Sequence, residues 1–351
     1  MCELFALFSG RNQMKKALAI CSLLLLSLAP KAGAQTTQPL KLIANTPLPG
    51  FAGDFDHFAV DLKGKRLFLA AEDHKTVEVF DLEGKRIHSI TGFGQPHAAV
   101  VLSDSNIIVT DGDGFGSVAL VDGKNYKIIN TIKLPPGVDG AVFNPVNQYY
   151  YVESGSDDAK AMTHEINIID TKNFKLVGAI TLPGTHSEAM AISKDGKKMF
   201  VNLTGPKEVG VVDLNTRQLI ARWSIPEAET PNSMGLDEPN HRLFIATRKP
   251  PKFFVFDTDT GKVVTTLACA SMNDDMWFDV PRKRIYITGT EATTVLEQRD
   301  ADHYSQIAEI PTGYRAKTSL LVPQLNRLYV AVSGKGKPEA QLSLQVYDVQ
   351  P

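Results

Sequence analysis

The chain has 351 residues, 43% of them apolar and 22% charged, with a formal net charge of −2. That composition supports a large buried core and excludes a disordered or low-complexity chain. The near-neutral, slightly acidic balance weighs against a protein that holds nucleic acid by phosphate contacts alone.

At the N-terminus, Lys15 and Lys16 precede the apolar run "ALAICSLLLLSLA", and small residues follow at Ala32 and Ala34 in "KAGAQ". This charged, apolar, small-residue order predicts a secretory signal over residues 1–34, with Met14 as the true start and cleavage between Ala34 and Gln35. The alternative is an uncleaved anchor, although the run is short for a membrane span. Cys21 follows Ile20, where a lipoprotein signal would carry a small residue. Cleavage leaves residues 35–351 as one domain with no transmembrane segment, in a periplasm or outside the cell. It removes Glu3, Arg11, Lys15, Lys16 and Lys31, which takes the formal charge from −2 to −5. Of the three cysteines only Cys269 survives, so no intrachain disulfide is available and packing must supply the stability.

Repeats dominate the remainder. "VEVFD" ending at Asp81 recurs as "VALVD" at Asp122, "NIIDT" around Asp170, "VGVVD" at Asp213, "FFVFD" at Asp257, "LEQRD" at Asp300 and "LQVYD" at Asp348. The steps of 41, 48, 43, 44, 43 and 48 residues match a four-stranded propeller blade. A second mark, "GKRLFLA", is echoed by "NQYYYVE", "GKKMFVN", "NHRLFIA", "RKRIYIT" and "LNRLYVA", each a polar turn leading into a half-buried strand. The repeated aspartates fall where a carboxylate would take backbone amides and set a turn. The last copy lacks a fourth strand, while "KLIANTPLP" near the N-terminus resembles the fourth strands "KIINTIKLP" and "KLVGAITLP". The expectation is an all-β, seven-bladed propeller of four-stranded antiparallel blades, its last blade completed by residues 41–49.

The copies "GKRLFLA", "GKKMFVN" and "NRLYVAV" resemble the YVTN-type repeat of bacterial surface and periplasmic proteins. As an exported seven-blade whole, the chain is similar to the YncE-like propellers over nearly its entire mature length. That resemblance implies the propeller fold and partner binding, single-stranded DNA among the partners. WD40 propellers share the architecture, but their tryptophan-aspartate marks are absent.

Such a fold hosts unrelated activities, so function is sought in its loops. Aligning the strand openings puts Asp56 and His57 in register with Pro96 and His97, Val138 and Asp139, Glu188 and Ala189, Asn232 and Ser233, Asp274 and Asp275, and Lys317 and Thr318. These positions ring one mouth of the central channel, with His186, Tyr314 and Arg315 nearby. The candidate ligand-binding set is therefore His57, His97, Asp139, His186, Glu188, Asn232, Asp275, Tyr314, Arg315 and Lys317. Taken singly, each is also a residue that hydrogen-bonds a loop backbone or water. His57, His97, Asp139, Glu188 and Asp275 are ligand types for a divalent metal in the channel, without a diagnostic spacing. No cofactor is otherwise expected.

"DGDGFG" at Asp111 starts like a calcium loop, but the repeat needs Asp122 at a strand end, so it reads as an ordinary polar loop. It lacks the lysine of a phosphate-binding loop, and no Cys-x-x-Cys-His or Gly-x-Ser-x-Gly motif occurs. Cys269 reads as a buried structural thiol.

Two classes follow. The first is a non-catalytic, monomeric binding propeller whose mouth and loops hold a small molecule, peptide, glycan, nucleic-acid strand or protein. Its loops differ in charge, "DGDGFG" and "ESGSDDAK" being acidic and "TRKPP" and "SGKGK" basic. The second is a lactone hydrolase, since propellers of related architecture include lactonases. His97 or Glu188 would then be the general base and Arg315 the oxyanion partner.

Overall fold

The computed structural model describes residues 38–155, 161–337 and 339–351. The signal segment, with Met14 and the Ala34–Gln35 junction, lies outside the described residues. Seven four-stranded antiparallel sheets are arranged as blades. Blade 1 comprises Phe58–Asp61, Arg66–Ala71, Thr76–Asp81 and Arg86–Ile90. The first strands of blades 2 to 6 are Pro96–Val101, Val138–Asn144, Ser187–Ile192, Pro231–Asp237 and Asp275–Asp279. Blade 7 joins Thr318–Val322, Arg327–Val332 and Ser343–Val349 to the N-terminal strand Leu40–Pro47.

That closure has the expected form. Leu40 lies opposite Val349 and Pro47 opposite Ser343, so the two ends of the chain share one sheet and the edge of Ser343–Val349 is covered. First strands of neighbouring blades touch all the way round, blade 7 to blade 1 included, and therefore line the central channel.

Burial follows position in the blade. Second strands such as Arg66–Ala71 are sandwiched between blades and buried on both faces, which suits their aliphatic and aromatic runs. Outer strands such as Gln218–Ser224 alternate exposed and half-buried residues, because only one face meets a neighbour. The core is accordingly divided into an apolar cluster at each interface between blades. Phe68 and Val77 of blade 1 meet Ile107 and Val109 of blade 2, for example, and Leu67 and Phe80 meet Tyr329 and Val346 of blade 7.

Six of the repeated aspartates act as turn formers. Asp213 Oδ1, for instance, accepts the amides of Asn215 at 2.8 Å and Thr216 at 2.9 Å, and Asp81, Asp122, Asp170, Asp257 and Asp300 accept backbone amides in the same way. The seventh, Asp348, pairs instead with Arg327. The Asp111 carboxylate takes the amides of Gly94 at 2.9 Å and Gln95 at 2.7 Å, as a polar loop residue should. Cys269 is half-buried, and burial pushes its thiol up to about 12, so it is no nucleophile at neutral pH. Among the described residues no helix is long and apolar enough to cross a membrane.

Candidate functional site at the channel mouth

Local irregularity in the first strands aims the site residues. The pairing of first to second strand shifts register between Pro96 and Ala99, Val138 and Ala141, Ser187 and Met190, and Pro231 and Ser233. These shifts bracket His97, Asp139, Glu188 and Asn232 in four consecutive blades. A bulge locally breaks the two-residue alternation of a strand and re-aims side chains, and here it falls at the mouth.

The result is a chamber of about 290 Å³. His57, Asp139, Glu188, Asn232, Asp274 and Asp275 line it, together with Phe58, Met190, Met234, Met276 and Trp277 from further along the same strands. Polar groups sit at the mouth end of each strand and apolar ones deeper.

Side chains lace neighbouring blades together around this chamber. His97 Nδ1 lies 2.6 Å from Asp56 Oδ2 and 3.4 Å from Asp139 Oδ1, linking blades 1, 2 and 3. His57 spans blades 1 and 6, with Nδ1 3.2 Å from Asp275 Oδ1 and Nε2 3.6 Å from Asp56 Oδ1. Asp275 Oδ2 in turn accepts the amide of Ser319 at 2.8 Å. Asp274 receives Arg248 Nη2 at 2.5 Å on one oxygen and the Lys317 ammonium on the other.

Burial is the leading influence on each of these groups, and the neighbours decide its outcome. For His97 burial favours the neutral ring, but the Asp56 hydrogen bond and the Asp139 and Asp56 charges prevail and raise it from 6.5 to about 9. His57 is raised well above its ordinary value against the same burial cost, chiefly by Asp56 and Asp275. Asp56 is held below the usual carboxylate range because His57, Lys317 and His97 outweigh its burial. Glu188 goes the other way: burial, with Asp139, Asp274 and Asp56, overcomes Arg248 and pushes it up to about 8. Glu153 is also raised well above 4.5 by burial and by Asp139 and Glu188. The open surface of Asp139 and Glu188 faces the chamber, whose walls limit the water that can solvate a charge there.

Not all the sequence candidates converge. His57, Asp139, Glu188, Asn232 and Asp275 are on the chamber wall, and His97 meets it through Asp139. Lys317 is buried at 7% exposure and committed to Asp274. His186 flanks the wall, its Nε2 2.9 Å from Thr204 Oγ1 and 3.9 Å from Glu188 Oε1. Tyr314 stacks under the Lys337 ammonium at 5.2 Å and lines a separate crevice. Arg315 is taken by Asp54, Nη2 to Oδ2 at 2.5 Å, and is not on the chamber wall. Of the set His97, Glu188 and Arg315, Glu188 lines the chamber, His97 borders it beside Asp139, and Arg315 lies outside its lining.

Arg248 and Glu153 were not among those candidates. Arg248 sits in "TRKPP", where it passes for a solvated loop cation, yet it follows "RLFIAT" at the position Glu72 holds after "RLFLAA". That second register, at the mouth end of the second strands, was the available signal. Asp56, His97 and Asp139 place ligand-type atoms within 4.8 Å of one another, a spacing that would admit a metal ion. As the side chains stand, His97 Nδ1 lies between the two carboxylates, 2.6 Å from Asp56 Oδ2 and 3.4 Å from Asp139 Oδ1.

Fold and site together define a seven-bladed β-propeller with a charge-rich chamber at one channel mouth. No protein-family model matches the chain, and no curated protein does. Solved structures share the fold. One chain of the Kuenenia stuttgartiensis hydrazine synthase is 20% identical with a TM-score of 0.69, over 79% of this chain and 92% of its own. One from a crystal structure of the mitotic checkpoint complex is 14% identical with a TM-score of 0.73, over 89% and 92%. At these identities the likeness is one of architecture.

Proposed function

We propose that this protein is a non-catalytic binding propeller that holds a small ligand in the channel-mouth chamber. The supporting observation is the chamber itself, with polar groups from blades 1, 3, 4, 5 and 6 around a volume of about 290 Å³. That is the lower end of the range for small-molecule sites. Titratable groups with opposed shifts around one cavity make it a candidate functional site.

Hydrolysis of a lactone is less well supported. The Asp56 hydrogen bond favours the protonated ring of His97, which speaks against a general-base role near neutral pH. Arg315 is paired with Asp54 and leaves the oxyanion role without its donor. Single-stranded DNA, the partner implied by the YncE-like resemblance, would find carboxyl groups and no lysine or arginine on the chamber wall to take its phosphates. Assignment to that family rests on the strand motifs, and export rests on residues 1–34.

A thermal-shift screen of small molecules tests the binding reading. A Cβ at Gly140 would meet no atom within 4 Å, so Gly140→Phe fills the chamber from its wall without a clash at Cβ. Compounds that stabilise the wild type are expected to leave Gly140→Phe unmoved. A screen in which none does, or in which both proteins shift alike, rejects it. Assayed beside this, a lactone panel is expected to show no turnover above blank.

A further inference from the structure

Resting on the binding reading, we infer that the ligand is a neutral polyhydroxy compound of monosaccharide size, with its hydroxyls on Asn232, Glu188 and Asp139 and its carbon face on Trp277.

Asn232 points to a ligand independently of the acids. Its side chain lines the chamber at 2% exposure, and among the described residues its amide makes no hydrogen bond. Oδ1 is the enclosed end of that amide, so Nδ2 is the end left open on the chamber side. Neighbouring polar side chains are satisfied within the protein: Asn202 Nδ2 donates to Asn232 O at 2.8 Å, and Ser233 Oγ donates to Asn273 Oδ1 at 3.0 Å. An open amide donor on a side chain this buried calls for an acceptor, which a hydroxyl oxygen supplies.

The wall beside it sets the charge of the ligand. The side chains of Asp139 and Glu188, on the two preceding blades, are 46% and 25% exposed and line the same chamber. His97 lies beside the first and Arg248 acts on the second, so neither waits for a cation. Burial raises both towards the neutral carboxyl, which donates one hydrogen bond and still accepts others. An anion fares no better. The wall carries no lysine or arginine, and His57 is already engaged by Asp275 and Asp56. A hydroxyl suits this mixture, since it donates to a carboxyl oxygen and accepts from an amide or a protonated carboxyl. Three such side chains, one from each of three successive blades, call for several hydroxyls on one small frame.

The floor supplies the rest of the ligand's shape. Trp277 is half-buried and its Nε1 already donates to Ser319 O at 3.1 Å, so ring carbon is what it leaves for a ligand. Met190, Met234 and Met276 continue that apolar surface. The C–H face of a sugar ring packs on such a floor while its hydroxyls turn to the wall. At about 290 Å³ the chamber takes one ring and not a chain of them. A simple alcohol would use the floor and only one polar group.

Tryptophan fluorescence and calorimetric titration of the full chain test this, with D-glucose, D-galactose, D-mannose and L-rhamnose set against D-glucuronate, D-glucosamine hydrochloride and cyclohexanol. Saturable binding of at least one neutral sugar is expected, with an emission change that Trp277→Phe abolishes. The charged and single-hydroxyl compounds are expected to bind more weakly by about tenfold or more. Asn232→Leu keeps the side-chain volume and breaks no side-chain hydrogen bond among the described residues. With an unchanged circular-dichroism spectrum, it is expected to weaken the sugar by about tenfold. Glu188→Gln keeps a donor and an acceptor without charge, and is expected to stay within about threefold of the wild type. A charged compound or cyclohexanol that binds as tightly as the best sugar overturns the inference. So does sugar binding unchanged in Asn232→Leu, or lost about tenfold or more in Glu188→Gln. Absence of sugar binding overturns it as well. If another compound of the thermal-shift screen then binds and Gly140→Phe abolishes it, the chamber remains a binding site for a different ligand. If none binds, both readings fall.

Discussion

Asp56 takes His97 on one carboxylate oxygen and faces His57 with the other, so one side chain organises two imidazoles. Its removal should be visible in both ring and fold. In Asp56→Asn the His97 titration, followed by NMR, is expected to drop from about 9 towards 6.5 because the main hydrogen bond to the charged ring is gone. The stability cost by urea denaturation at neutral pH should be about 2–3 kcal/mol, the low end for a broken buried pair, since the ring can shed its proton. A His97 titration unmoved by the substitution would rule out this pairing. At this scale the repeat register was enough to place Asp56, His57, His97, Asp139 and Asp274 at one mouth. Which base takes which acid depends on rotamers and on blades far apart in the chain, as with His57 and Asp275, and no local pattern encodes that.

Strand irregularities decide which of these residues see the chamber. Motif and spacing were sufficient to place the strands, because alternation and turn chemistry are local. The shifts at Asp139, Glu188 and Asn232 were not readable, since one extra residue in a first strand looks like ordinary length variation between turns. The closing strand was readable, since its letters resemble the other fourth strands, and its weight can be measured. Deleting residues 38–47 uncovers the edge of Ser343–Val349 and removes Leu40, which is 4% exposed against the blade 6 and 7 cluster. A loss of about 3–6 kcal/mol is expected from that burial and the lost ladder, with concentration-dependent association through the bared edge. Size-exclusion chromatography and calorimetric melting read both effects. A monomer that melts like the intact chain would show that the ring does not depend on this strand.

Across the whole molecule the buried charges set a direction for stability against pH. His97 is raised in the fold from 6.5 to about 9, so its contribution is fully present below pH 6.5 and lost as pH rises through about 9. That interval corresponds to about 3 kcal/mol at 1.36 kcal/mol per pH unit. Glu188 adds to the same slope: raised from 4.5 to about 8, it remains protonated in the fold while the unfolded chain ionises, and the fold is penalised from about pH 4.5 upward. On the acid side, the turn aspartates Asp122, Asp170, Asp213, Asp257 and Asp300 are held low, most of them chiefly by backbone amides. Their support is present above 3.8 and fades as pH falls through their folded values. The melting temperature should therefore peak between about pH 4 and 6.5 and decline towards pH 9, instead of holding a plateau through neutrality. Glu188→Gln separates the two alkaline contributions, since it removes the penalised carboxyl and leaves His97 in place. The variant is expected to exceed the wild type at pH 9 by about 1–3 kcal/mol and to match it near pH 4. Calorimetric melts that are flat from pH 6 to 9, or a variant no better at pH 9, would dismiss this account.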